Sequence, residues 1–336
     1  MGYNLSTMNP FIKYLFTNQV ITALLLIIIV LFILKIKGIL IAIFISYIIM
    51  AAFLPFVDSL RKKRVPRILS VVIPYVIVFA FFTSLVIPLI PFFASQIQSL
   101  FVIFPRYLDQ AARILGIQID ASQLGSIFGS EIGLISQNAF ALTSKVFGGV
   151  FSTLTIFVVS FYLLLDHDRI KKYIVNLIPV QNQKIVLTIT SQIEEKLGGW
   201  FRGQIILSLF IGTITWIGLT LLGLEFALPL ALIAGILEIV PTVGPIIAAI
   251  PAIIVALNTS LNSAFIVAVF YIFVQAIENN LLVPRVMQKA VGLHPIAIII
   301  SVIIGSELLG IIGALLAIPF ISLLLILFNA LGKRSE

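Results

Sequence analysis

Three carboxylates sit inside long apolar runs of this chain: Glu238, Glu278 and Glu307. An ionisable side chain at membrane depth is costly to hold, and where one is kept it marks an ion path, a proton relay or a substrate contact. Glu238 opens the stretch Glu238-x-x-Pro241-x-x-Gly244, followed by Pro251, and Glu307 opens Glu307-x-x-Gly310-x-x-Gly313, followed by Pro319. Both read as an acid, a helix breaker, a glycine, a short apolar run and a proline, which makes a weak internal repeat. Pro241 and Pro245 remove backbone donors, and Gly244 accepts almost any dihedral pair, so continuous helix is not expected through the middle of residues 228–257. Backbone groups freed by such a break are tolerated in a bilayer only against protein or a watery cavity. Thr242 and the freed carbonyls are therefore candidate contacts for a solute or ion. Gln275, Glu278 and Asn279 recur at a spacing that puts them on one helix face, polar within an apolar run. Gln204, just after Arg202 and Gly203, either points into the same site or marks the headgroup boundary.

The elements that must position these groups follow from composition. The chain of 336 residues is 61% hydrophobic and 10% charged, against about 25% charged residues in soluble domains. It reads as an all-α polytopic membrane protein, one integral membrane domain over residues 1–336. The formal charge of +8 is gathered at the ends of apolar runs, as the positive-inside rule produces, and argues against a nucleic-acid partner. With no cysteine, disulfides, thiolate metal sites and cysteine nucleophiles are excluded. His167 and His294 have no partner at metal-ligand spacing, and no nucleotide-binding or hydrolytic motif is present. The expectation is a protein that is not an enzyme and carries no cofactor.

In chain order, residues 20–34 and 39–57 are expected to form a hairpin turning at Lys35 to Gly38. The basic cluster Arg61, Lys62, Lys63, Arg64 and Arg67 then fixes its loop as cytoplasmic, against anionic lipid headgroups. Residues 68–93 cross outward, with Pro74, Pro88 and Pro91 as kinks. Residues 94–136 form an external amphipathic region, and 138–165 return. A cytoplasmic helical region, 167–200, is capped by Asp168. A span at 207–224, the first broken segment, a span at 264–283 and the second broken segment complete about eight membrane segments. Each broken segment is either a re-entrant hairpin or a kinked single crossing. Hairpins leave Arg285 and Lys289 cytoplasmic, as the charge bias favours, and make two span-plus-hairpin units of opposite entry, an inverted repeat of the kind used by alternating-access transporters. Residues 1–202 then form a scaffold and residues 203–336 a transport part, with both termini cytoplasmic.

Arg202-Gly203-Gln204, Glu238-x-x-Pro241-x-x-Gly244-Pro245, Gln275-x-x-Glu278-Asn279 followed by Pro284, Leu293-His294-Pro295, and Gly305, Gly310, Gly313 and Pro319 together resemble the AI-2E (autoinducer-2 exporter-like) membrane proteins. These motifs span the C-terminal half; the N-terminal half agrees in layout only. The resemblance implies a multi-pass transporter of the bacterial cytoplasmic (inner) membrane that assembles as a homo-oligomer, with a pentamer expected. It also implies export of a small polar solute such as autoinducer-2, or exchange of Na+ or Li+ for H+. A passive oligomeric channel and a non-transporting membrane scaffold are the alternatives, distinguished by gradient-independent conductance and by a co-purifying partner respectively.

Overall fold

The computed structural model describes residues 19–81, 83–84, 87–116, 139–240, 243–283 and 295–332. Helices account for nearly all of it and no strand occurs among the described residues, as an apolar chain that must satisfy its own backbone requires. The helices are α1 (Gln19–Lys62), α2 (Arg67–Phe81), α3 (Ile87–Leu115), α4 (Ala139–Leu165), α5 (His167–Asn176), α6 (Val180–Leu221), α7 (Ala227–Leu237), α8 (Val243–Thr259), α9 (Leu261–Ile277) and α10 (Pro295–Gly332). Among the described residues, four stretches are long and apolar enough to cross a membrane, in α1, α6, α9 with the turn after it, and α10.

Helix α1 is one helix of 44 residues and not the expected hairpin turning at Lys35 to Gly38. Lys35 and Lys37 are good helix formers. Gly38, the one breaker there, costs about 1 kcal/mol within a helix, far less than freeing a turn of backbone in apolar surroundings. With one helix where two crossings were expected, the argument that put the N-terminus on the cytoplasmic side no longer holds. Residues 26–34 of α1 are exposed, whereas Ile48, Ile49, Met50, Ala51 and Ala52 are buried against α4 and α6.

The N-terminal half is a layer of α1, α2 and α4. Met50, Val57, Val71 and Leu164 form its apolar centre, with Tyr75 stacked among Phe53, Phe157 and Phe161. Its buried polar groups are paired: the Ser46 hydroxyl donates to the carbonyls of Ala42 and Ile156, Ser70 to those of Val65 and Pro66, and Tyr75 meets Ser160 at 2.6 Å.

Helix α6 joins the halves, packing on α1, α7, α9 and α10. It crosses α1 where Pro55 interrupts that helix. Proline has no N–H, so the carbonyl four residues back, Ala51, loses its helical donor. Arg202 supplies the replacement, donating to Ala51 O at 3.3 Å and Ala52 O at 3.0 Å. One turn earlier Gly198 lies so close to Ala51 O that no side chain fits between them.

Both broken segments are hairpins. Helices α7 and α8 pack on each other through the break that follows Leu237, and Gly244 sits directly against the Leu237 carbonyl. Their 11 and 17 residues rise about 16 and 26 Å, short of a hydrocarbon core of about 30 Å. Helix α10 reverses at Gly310, whose φ of 63° and ψ of −144° suit glycine alone. Gly305 and Gly313 would be about 12 Å apart in a straight helix. Here each would drive a Cβ into the other's carbonyl, so the arms lie side by side. The expected amphipathic region is α3 up to Leu115, laid over α7 and α8 with Leu100 and Ala111 buried; residues 117–136 lie outside the described residues.

Candidate functional site

Glu238 ends α7 at the tip of the first hairpin, and Glu278 begins a π-helical turn, Glu278–Leu282, at the end of α9. The α9 helix presents Val267, Tyr271, Val274 and Glu278 along one buried stripe, at the spacing of a helix face. That stripe brings Glu278 to the tip. Glu238 is 0% exposed and Glu278 1%. The two carboxyl groups are near enough to interact. Gln275 Nε2 donates to Glu278 Oε2 at 2.9 Å, while neither carboxyl oxygen of Glu238 has a hydrogen-bond donor among the described residues. Two bare carboxylates cannot occupy so dry a site together, because their repulsion adds to the desolvation of each. A proton or cation between them relieves both.

The tip is held from α6. Gln204, 4% exposed, donates from Nε2 to the carbonyl of Glu238 at 2.5 Å. That carbonyl is one of the groups the break sets free. The Gln204 side chain thus reaches the hairpin tip. A groove of about 710 Å3 runs along the other face of this contact, between α6 and α7. Trp200, Gln204, Ser208, Gly212 and Trp216 line it at four-residue steps, facing Leu228, Gly235 and Ile239. Its floor is the close crossing of α6 and α7, where a Cβ on Gly235 would come within 3.0 Å of Ser208 O and 3.2 Å of Gly212 Cα.

Other expected site residues lie elsewhere. Glu307, beside the Gly310 reversal, is exposed, and Gly310 and Gly313 shape the second hairpin without touching the carboxyl pair. Asn279 is exposed: it follows the buried Glu278 directly, and neighbouring residues on a helix do not face the same way. Pro241, Thr242 and His294 lie outside the described residues. Tyr271 and Thr215, both buried further along α9 and α6, were not picked out from sequence, although Tyr271 stands two turns before Glu278 on the same face.

At the ends of α1 and α6 distant from the hairpin tip lies an ionic cluster. Asp168 is no helix cap; α5 has no side-chain cap, and Asp168 pairs with Arg61 at 3.2 Å and Arg67 at 3.4 Å. Although partial burial opposes ionisation, the two guanidinium groups hold its carboxyl below the usual range. His167 Nε2 meets Glu194 Oε1 at 2.8 Å, and Lys171 Nζ meets Glu194 Oε2 at 3.2 Å. The hydrogen bond to Glu194 pushes the basicity of His167 above its ordinary value, against the effect of burial and of Lys171. Lys62, Lys63 and Arg64 are exposed beside this cluster, where lipid headgroups can meet them. Among the described residues no three of His, Cys, Asp and Glu converge to hold a metal ion.

Comparison with known proteins places these features in a family. A family model described as AI-2E family transporter matches residues 20–333. YueF of Bacillus subtilis, whose name proposes a transport protein, is 28% identical over 282 residues, 78% of this chain and 76% of its own length. YrrI of the same organism, named likewise, is 28% identical over 313 residues, 88% of this chain and 86% of its own. PerM of Escherichia coli, whose name proposes a permease, is 29% identical over 175 residues, 51% of this chain and 48% of its own.

Proposed function

Because the chain belongs to the AI-2E family of transporters, we propose that it is an ion-gradient-driven secondary transporter whose coupling ion is held between Glu238 and Glu278. The observation that carries this reading is the pairing itself: two acids from different helices, 0% and 1% exposed, meet at a helix break that frees backbone carbonyls. Such a pair needs one positive charge to stay closed. A proton supplies it in one state and Na+ or Li+ in another, and the exchange of one for the other is antiport. Gln275 Nε2 steadies Glu278, while Gln204 fixes the height of the hairpin tip.

Residues 203–336 act as the moving part on a scaffold of residues 1–202, with the α1–α6 crossing at Gly198, Arg202 and Pro55 as the fixed joint. The two span-plus-hairpin units, α6 with α7–α8 and α9 with α10, form an inverted repeat in the bacterial inner membrane, assembled as a homo-oligomer. The groove of about 710 Å3 between α6 and α7 is walled almost entirely by apolar side chains, so it lends no support to the alternative, export of a small polar solute against proton entry.

The test is flux in proteoliposomes carrying a pH gradient, read with an internal pH dye while Na+, Li+ or K+ is added outside. Wild-type protein dissipates the gradient on addition of a transported cation. Glu278→Gln and Glu238→Gln, close in size and unable to ionise, lose this response while assembling normally. Unaltered flux in both variants removes the pair from the mechanism, and cation conductance without any gradient points to a channel.

A further inference from the structure

Buried polar atoms without a protein hydrogen-bond partner are unevenly distributed in this molecule. Among the described residues they are Trp200 Nε1, Gln204 Oε1, Ser208 Oγ, Thr215 Oγ1, both carboxyl oxygens of Glu238, Asn258 Oδ1 and Tyr271 OH. All lie on α6, the first hairpin and α9. In the scaffold half the buried hydroxyls of Ser46, Ser70 and Ser160 are all paired. Each unpaired buried group costs about 1–3 kcal/mol, and native interiors rarely tolerate several on one seam without water or an ion to satisfy them.

Their order along the seam is informative. Gln204 and Glu278 both meet Glu238 at one end, while Gly218 lies against the ring of Phe270 at the other, so α6 and α9 run antiparallel. Tyr271 stands seven residues before Glu278, about 10 Å away along α9, and Thr215 eleven residues past Gln204, about 16 Å along α6. Both are therefore displaced from the carboxyl pair in the same direction. Asn258, at the end of α8, lies further that way, donating to Tyr107 O at 3.5 Å, beside the 2.6 Å bond from Tyr107 to the exposed Glu225. Ile211, Leu219, Val267 and Val274 fill the gaps, so the seam is closed in this conformation.

We propose that this seam is a gated hydration path, running from the carboxyl pair past Tyr271 and Thr215 to the polar cap of Asn258, Tyr107 and Glu225. The inference rests on the transport reading above and adds the route. Intervals of about 10 Å are too long for direct hydrogen bonds. Waters that enter when the first hairpin shifts bridge them, each held by the hydroxyls that the closed state leaves unpaired. Thr215 and Tyr271 are positioning residues for that water and for a hydrated cation.

The absence of native cysteine allows a direct test. Thr215→Cys and Ser160→Cys place single thiols at positions that are both 0% exposed, one on the seam and one in the scaffold. A small cationic methanethiosulfonate reagent, which reacts with thiols in water, is expected to modify Thr215→Cys in liposomes at least tenfold faster than Ser160→Cys. Equal rates overturn the path. In parallel, Thr215→Val and Tyr271→Phe are expected to lower flux at least tenfold with assembly intact. Wild-type flux in both, alongside loss in Glu278→Gln, overturns the path and leaves the transport reading standing. Retained flux in Glu278→Gln overturns both.

Discussion

The crossing of α1 and α6 makes a quantitative prediction. Arg202→Met keeps much of the apolar stem but removes the guanidinium from Ala51 O and Ala52 O. Ala52 O keeps the helical amide of Phe56. Ala51 O does not, because residue 55 is proline, and Ala51 is 2% exposed. The substitution therefore leaves one buried carbonyl without a donor, at about 1–3 kcal/mol. Pro55→Ala returns an N–H to that carbonyl. Added to Arg202→Met, it should recover the penalty; added to the wild type, where Arg202 already serves the carbonyl, it brings no such gain. The four proteins form a double-mutant cycle with an expected coupling of about 1–2 kcal/mol, roughly a tenfold factor in the unfolding equilibrium. Reversible unfolding in mixed micelles, titrated with denaturing detergent, reads it. Additivity within about 0.5 kcal/mol would refute the claim that Arg202 replaces the amide missing at Pro55.

Two further outcomes follow from local geometry. Gly313→Val forces a side chain into the Gly305 carbonyl and should separate the arms of α10, abolishing stable folding, whereas Gly310→Ala meets no neighbouring atom and should cost only the backbone strain of positive φ, about 1–3 kcal/mol; thermal unfolding of the purified variants separates the two. His167 gains affinity for its proton on folding, so the α5–α6 contact has its full strength below about pH 6.5 and weakens as pH rises through the elevated folded value. Hydrogen exchange of α5 should speed up across that range, and His167→Gln should remove the dependence. The charges facing this group are Glu194, Asp168 and Lys171, with Arg61 and Arg67 behind Asp168 and Tyr47 near Glu194.

The breaks were legible in residue types. A glutamate beside Pro241 and Gly244 in an apolar run announces a break with a charge to satisfy, and Gly310 and Gly313 after Glu307 announce a second; that the chain turns back at both comes from the close approach of Gly244 to Leu237 and of Gly305 to Gly313. The sequence carries no equivalent signal for partners. Lys35 to Gly38 resembles a turn because two charges interrupt an apolar run, yet a lysine can stay helical. Asp168 at a helix start resembles a cap, but its ion pairs depend on the chain folding Arg61 and Arg67 alongside. Asn279 lies three to four residues from Gln275 as Glu278 does, but which edge of that polar face is buried depends on the helices packed against it, and Asn279 is left exposed. Thr215 is unremarkable in sequence, and Arg202 enters there only as part of a motif; their structural partners, Tyr271 and the Pro55 break, lie on other helices.

The central claim is that Glu238 and Glu278 share one exchangeable positive charge. Infrared difference spectroscopy of the reconstituted protein tests it most directly, because a protonated carboxylic acid in a dry site has its own C=O stretching band. The account predicts such a band at low cation concentration, altered or abolished in Glu238→Gln and Glu278→Gln, and replaced by carboxylate absorption as Na+ or Li+ displaces the proton. No protonated-acid band, or one indifferent to both substitutions and to the cation, would contradict it.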